Sequence, residues 1–167
     1  NAYNPWFIAH IRSRELLGHW VEDSTALLGP LTIRHVGMLL VIAYTLLVLW
    51  ALHRRGAQSI SLPSAGAAAL RQLGVFLAGG LLIFGFFMLA TEMHERYLVP
   101  ALAPLAVVAV LKRPARLPFA LLSLTLFLNL IHVLPLLRAQ IEWMKTLPDI
   151  RFAIAVANTV LLAWWSA

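Results

Sequence analysis

Glu92, Met93, His94, Glu95 and Arg96 form a dense polar knot between two apolar runs, 73–91 and 97–111. Two carboxylates, an imidazole and a guanidinium fall within five consecutive residues. Arg can grip phosphate oxygens in a bidentate fashion, while Glu and His can hydrogen-bond sugar hydroxyls, so the set suits an anionic, hydroxylated ligand. Ionisable residues at a membrane boundary are costly to hold and usually face a cavity or a partner. The bland alternative is a short hairpin in which Glu92 pairs with Arg96 four residues on. Arg34 and His35 stand at the entrance of an earlier apolar run, where they either snorkel to headgroups or complete a cavity around Arg96. A metal site within the knot is disfavoured, because His94 and Glu95 are adjacent and no second ligand pair has helical spacing.

The elements that must position this knot are membrane elements. The chain has 167 residues, 61% of them hydrophobic and 12% charged, with a mean hydropathy of +0.83, far more apolar surface than a soluble core of this size needs. Apolar runs measured against the roughly 20 residues that cross a bilayer predict an all-α polytopic bundle of about five transmembrane helices, at 36–52, 73–91, 97–111, 117–137 and 152–167. Residues 1–35 are expected to form an extracytoplasmic interfacial segment, and 36–167 the bundle. In the first segment Asn4 can cap a short helix with Pro5 at its first position, Trp6, Phe7, Ile8 and Ile11 supply an apolar face, and Trp20 anchors it at the headgroups. Gly29-Pro30 reads as a turn and Thr32 as a helix cap. Pro100 and Pro104 would kink the third run or make it re-entrant. The stretch 59–66, with Pro63, reads as a flexible connection.

Charge sets the orientation, because basic residues near span ends stay on the cytoplasmic side. Loop 53–72 carries Arg54, Arg55 and Arg71, and loop 112–116 carries Lys112, Arg113 and Arg116, both without an acid. All seven acids lie in the alternate segments: Glu15, Glu22, Asp23, Glu92, Glu95, Glu142 and Asp149. The acidic loops are therefore expected outside and the C-terminus in the cytoplasm. The net charge of +6 reflects this sorting, and nucleic acid is not expected as a partner. There is no cysteine, hence no disulfide framework or thiolate site.

Other features read as architecture. Gly79, Gly80 and Gly85 permit close helix approach, with 85–87 packing against a neighbour. Trp164 and Trp165 read as an interfacial belt. Asn129 and His132 share a face of the fourth run; His132 is a weak candidate for haem or chlorophyll magnesium, and hydrogen bonding across helices is favoured.

Three stretches resemble the C-terminal half of bacterial integral-membrane glycosyltransferases of GT-C type, the group similar to GPI mannosyltransferases and other polyprenyl-phosphate-sugar enzymes: Asn1-Ala2-Tyr3-Asn4-Pro5-Trp6, Leu28-Gly29-Pro30-Leu31-Thr32-Ile33-Arg34, and Thr91-Glu92-Met93-His94-Glu95-Arg96-Tyr97-Leu98-Val99-Pro100. The resemblance covers roughly residues 1–111. It implies sugar transfer from a lipid-phosphate donor on the extracytoplasmic face of the bacterial inner membrane, with a catalytic carboxylate upstream of Asn1. It also implies a donor and phosphate site at His94, Glu95 and Arg96, to which Arg34 is added, and leaves room for a divalent metal in the complete enzyme. Membrane lipids and a polyprenyl-phosphate-linked sugar are the implied partners. Glu92, where the family usually carries a basic residue, and Pro5, in place of an aliphatic one, are departures. They motivate a rival expectation: a non-catalytic accessory subunit packed against other membrane-protein subunits of a respiratory or photosynthetic complex.

Overall fold

The computed structural model describes residues 3–9, 22–58, 64–91, 93–133 and 150–167. The chain is mostly helical. After a helical stretch at residues 5–9, five longer helices are described: α1 (Ile33–Gln58), α2 (Ser64–Leu89), α3 (Val99–Leu111), α4 (Arg116–Val133) and α5 (Arg151–Ser166). Short 3₁₀ turns at Glu95–Leu98 and Arg113–Ala115 lead into α3 and α4. Among the described residues three stretches are long and apolar enough to cross a membrane: Ile33–Arg55, Ala68–Leu89 and Arg113–Ile131. At 13 and 16 residues α3 and α5 are shorter. A rise of 1.5 Å per residue makes them roughly 20 and 24 Å long, less than the hydrocarbon thickness.

Several boundaries differ from the sequence expectation, each for a local reason. α1 starts at Ile33, directly after Thr32, the residue expected to cap it, and three residues ahead of the apolar run at 36–52, because Thr32 and His35 form a reciprocal cap. The His35 amide donates to Thr32 Oγ1 at 3.4 Å, and the Thr32 amide donates to His35 Nδ1 at 3.1 Å. This is the geometry of a capping box, with His in the place usually held by Glu or Gln. α2 begins at Ser64, so the connection expected over 59–66 is shorter than read. Ala65, Ala67, Ala68 and Ala69 are strong helix formers and carry the helix back toward Pro63. α3 is a continuous helix across Pro104, with Pro100 in its first turn, where a missing amide costs nothing.

One element was not anticipated in an all-α reading. Ala26–Leu28 and Leu31–Thr32 form a small antiparallel hairpin, β1 and β2, with Leu28 paired to Leu31. Its two-residue loop places Gly29 at φ 55°. Pro30 cannot adopt positive φ, so the turn is of the II′ kind, which needs glycine first and suits hairpin twist.

α2 is the hub, contacting α1, α3 and α5, while α4 packs on α3 and α5. Phe84, Phe87 and Met88 of α2 are fully buried with Leu98, Leu105 and Leu122. Apolar side chains gain little by leaving lipid for another helix, so close contact must hold such a bundle together. Gly80 lies where a Cβ would stand 2.5 Å from Leu105, and Gly85 lies against the Tyr44 ring. Gly79 has open space in front of it. The tryptophan pair divides: Trp164 is exposed as a belt residue would be, but Trp165 turns into the core. Asn129, on α4, is fully buried, and among the described residues neither its amide nitrogen nor its oxygen has a hydrogen-bond partner.

Candidate functional site

Alternation of antiparallel helices brings the start of α1, the end of α2, the start of α3 and the start of α5 to one end of the bundle. The knot lies there, in the chain that turns from α2 into α3.

That turn is fixed from two sides by residues far away in sequence. The last carbonyls of any helix lack intrahelical partners. In α2 they are satisfied by the N-terminal segment: Asn4 Nδ2 donates to Phe87 O at 3.1 Å and Ala90 O at 3.3 Å, and Trp6 Nε1 donates to Leu89 O at 2.8 Å. Asn4 also caps its own helical turn, accepting from the Phe7 amide at 3.3 Å. Residues 3–9 dock on the bundle: Tyr3 and Asn4 are buried, and Tyr3 packs with Ile154 and Ala155 of α5. Asn158, also fully buried, donates to the Tyr3 carbonyl at 3.2 Å. Ile11 and Trp20 lie outside the described residues.

From the other side the hairpin acts as a clamp. Asp23, 8% exposed, accepts from Arg34 Nε at 2.8 Å, from Arg34 Nη2 at 3.3 Å and from Thr91 Oγ1 at 3.2 Å. The Arg34 amide donates to Asp23 O at 2.9 Å. Gly37 allows this approach, because a Cβ there would stand 3.1 Å from both Leu89 O and Thr91 Cγ2. Arg34 is thus paired with a carboxylate, and Asp23 and Thr91 link it to the turn that carries the knot. Its side chain remains 52% exposed, so the pair sits partly in solvent.

Beyond Thr91 the chain presents the knot itself. Met93 is buried and anchors it, and Leu98 closes it into the core. Between them a 3₁₀ turn forms, with the Tyr97 amide donating to His94 O at 3.0 Å. His94, Arg96 and Tyr97 are exposed. The His94 ring is 5.8 Å from the Tyr97 ring, and the Arg96 guanidinium carbon lies 5.6 Å from the same ring. An imidazole and a guanidinium therefore share one aromatic platform. A guanidinium held over a ring still offers its N–H edges to an anion. Among the described residues Arg96 makes no ion pair. Glu92 lies outside the described residues, as does the side chain of Glu95, so the pairing of Glu92 with Arg96 has no counterpart to compare.

The side chain of His132 likewise lies outside the described residues, as do Glu15, Glu142 and Asp149. Among the described residues no three His, Asp or Glu groups converge as a metal site.

Sequence reasoning missed Asn4 as a cap for α2, and missed Trp6, Asp23 and Thr91 altogether as positioning residues. Asn4-Pro5 signals a local cap, which the structure contains, but nothing local announces partners more than eighty residues away. No protein-family model, no curated protein and no solved structure matches the chain.

Proposed function

We propose that this chain is the donor-side, C-terminal part of a GT-C-like membrane glycosyltransferase, binding a polyprenyl-phosphate-linked sugar at the extracytoplasmic end of a bundle that crosses the membrane about five times. One observation carries the reading: His94 and Arg96 stand exposed around Tyr97, just after a helix end whose carbonyls are held by Asn4 and Trp6 and whose Thr91 hydroxyl is held by Asp23. A preorganised cation is worth most where negative charge develops, because no reorganisation is needed as the reaction proceeds. Arg96 would neutralise the lipid phosphate as the sugar departs, and His94 would hydrogen-bond the phosphate or a sugar hydroxyl. The base that activates the acceptor would be a carboxylate outside these residues. In this topology α3 and α5 count as the short third and fifth crossings.

The test is sugar transfer from polyprenyl-phosphate sugars by the complete gene product. Removing one donor of an electrostatic site costs about 10²–10³ in kcat, so Arg96→Ala should lose about that much and Arg96→Lys should recover only part. Unaltered transfer by Arg96→Ala would remove the phosphate role.

A second reading rests on α1. Only 11% of its apolar window is buried, against 39% for α2, and Met38, Leu46 and Trp50 are all more than half exposed. Such a face suits a partner helix as well as lipid, as expected of an accessory subunit. Purification of the native protein with a defined set of other membrane subunits, and no transfer activity, would favour this reading.

A further inference from the structure

Toward the end of the bundle remote from the knot, a half-open cleft of about 70 Å³ runs along the groove where α1 and α2 meet the end of α5. A site needs roughly 10–15 Å³ on this measure to hold one water, so the cleft is more than a packing defect. On α1 it is lined by Tyr44, Leu47, Val48, Ala51, Leu52 and Arg55. That spacing of three, four, seven, eight and eleven residues is one unbroken helix face. On α2 Gly74, Leu77, Ala78 and Leu81 repeat the pattern. From Tyr44 to Arg55 the slot runs about 16 Å along α1.

Its two ends differ in chemistry. At the deep end Tyr44 and Ser166 are joined by a 2.8 Å hydrogen bond between their hydroxyls. Ser166 donates to Leu162 O at 2.7 Å, so Tyr44 donates to Ser166 and keeps its own oxygen as an acceptor. Trp165 borders the slot there, and its buried indole nitrogen has no hydrogen-bond partner among the described residues. At the mouth stands Arg55, exposed, at the bundle end that also carries Arg54, Arg71, Lys112, Arg113 and Arg116. No carboxylate is found at that end among the described residues.

We infer that this cleft is a binding site for an anionic phospholipid, one acyl chain lying along the groove of α1 and α2 and the phosphate meeting Arg55. A groove lined along its length mainly by Leu47, Val48, Ala51, Leu52, Leu77 and Leu81 offers a hydrocarbon tail apolar contact. A basic rim between helices on the cytoplasmic side is where anionic headgroups are recognised. The inference is independent of the glycosyltransferase reading, which concerns the opposite end.

The test uses the complete protein reconstituted in phosphatidylcholine vesicles containing either phosphatidylglycerol or phosphatidylcholine with brominated acyl chains, which quench nearby indoles. The Trp165 signal is obtained by difference against Trp165→Phe. Brominated phosphatidylglycerol should quench Trp165 at least twofold more than the same chains on phosphatidylcholine. Arg55→Gln should erase that preference, and Ala51→Phe, which fills the slot, should reduce quenching by both lipids while the circular dichroism stays unchanged. Equal quenching by the two lipids, insensitive to both substitutions, would overturn the site. So would a Trp165 that neither lipid quenches, because another part of the protein would then occupy the slot.

Discussion

Asp23 shows how one side chain sets the position of several others. It is nearly buried, yet its carboxylate is compensated by three donors from Arg34 and Thr91. Hydrogen bonds to a charged group are worth about 1.5–3 kcal/mol each when both partners are buried. Here Arg34 is half exposed, so solvent screening lowers its share toward the range of surface pairs. Asp23→Asn keeps the shape and removes the charge, and should cost about 1–2 kcal/mol in total. Its second effect should be local: with Thr91 released, the turn at 90–98 should become sensitive to proteases before the bundle unfolds. Thermal unfolding in detergent together with limited proteolysis checks both. A variant that loses stability without gaining cleavage in that turn would show that Asp23 braces the hairpin alone. Nothing in the local sequence around Asp23 or Thr91 announces their link, which becomes visible only once Gly29-Pro30 has folded the hairpin back onto the start of α1.

At the scale of elements, the glycines of α2 divide by what they face. Gly85 lies against the Tyr44 ring and Gly80 against Leu105, whereas Gly79 faces open space. Adding a methyl group to a well-packed interface typically costs about 1–3 kcal/mol, while Gly→Ala in a helix interior gains about 1 kcal/mol from propensity alone. Gly85→Ala should therefore destabilise the protein, by separating α1 from α2, and Gly79→Ala should be neutral or slightly stabilising. Comparison of the two by unfolding in mixed micelles decides the matter; equal effects would mean that α1 does not rest on Gly85. The helices themselves were readable, since long apolar runs, proline positions and the Asn4-Pro5 cap are local signals. Which glycine meets a neighbour was not, because Gly79 and Gly80 are adjacent in sequence and only the helix phase separates them. The same holds for Trp164 and Trp165: one turns outward and one inward, although their side chains are identical.

For the whole molecule, the arrangement of charge carries the strongest claim about orientation. His53, Arg54, Arg55, Arg71, Lys112, Arg113 and Arg116 gather at one end of the helices, and Glu22, Asp23 and the knot at the other. Basic residues flanking spans resist translocation, whereas carboxylates contribute little to that choice. The basic end should thus face the cytosol and His94 and Arg96 the opposite compartment. The chain has no cysteine, so single cysteines can report on each end against a clean background. Ser24, in the exposed hairpin region, where it gives only an exposed 3.3 Å hydrogen bond to Glu22, and Pro114, exposed between α3 and α4, can each be replaced without removing a charged residue. In intact cells a membrane-impermeant maleimide should label Ser24→Cys, whereas Pro114→Cys should react only after permeabilisation. The reverse pattern would put the knot in the cytosol and remove the extracytoplasmic donor site, while leaving its local geometry intact. Labelling of both from outside would mean that the helices between these positions cross the membrane an even number of times, and the alternation that gathers the acidic loops at one face would fail with it.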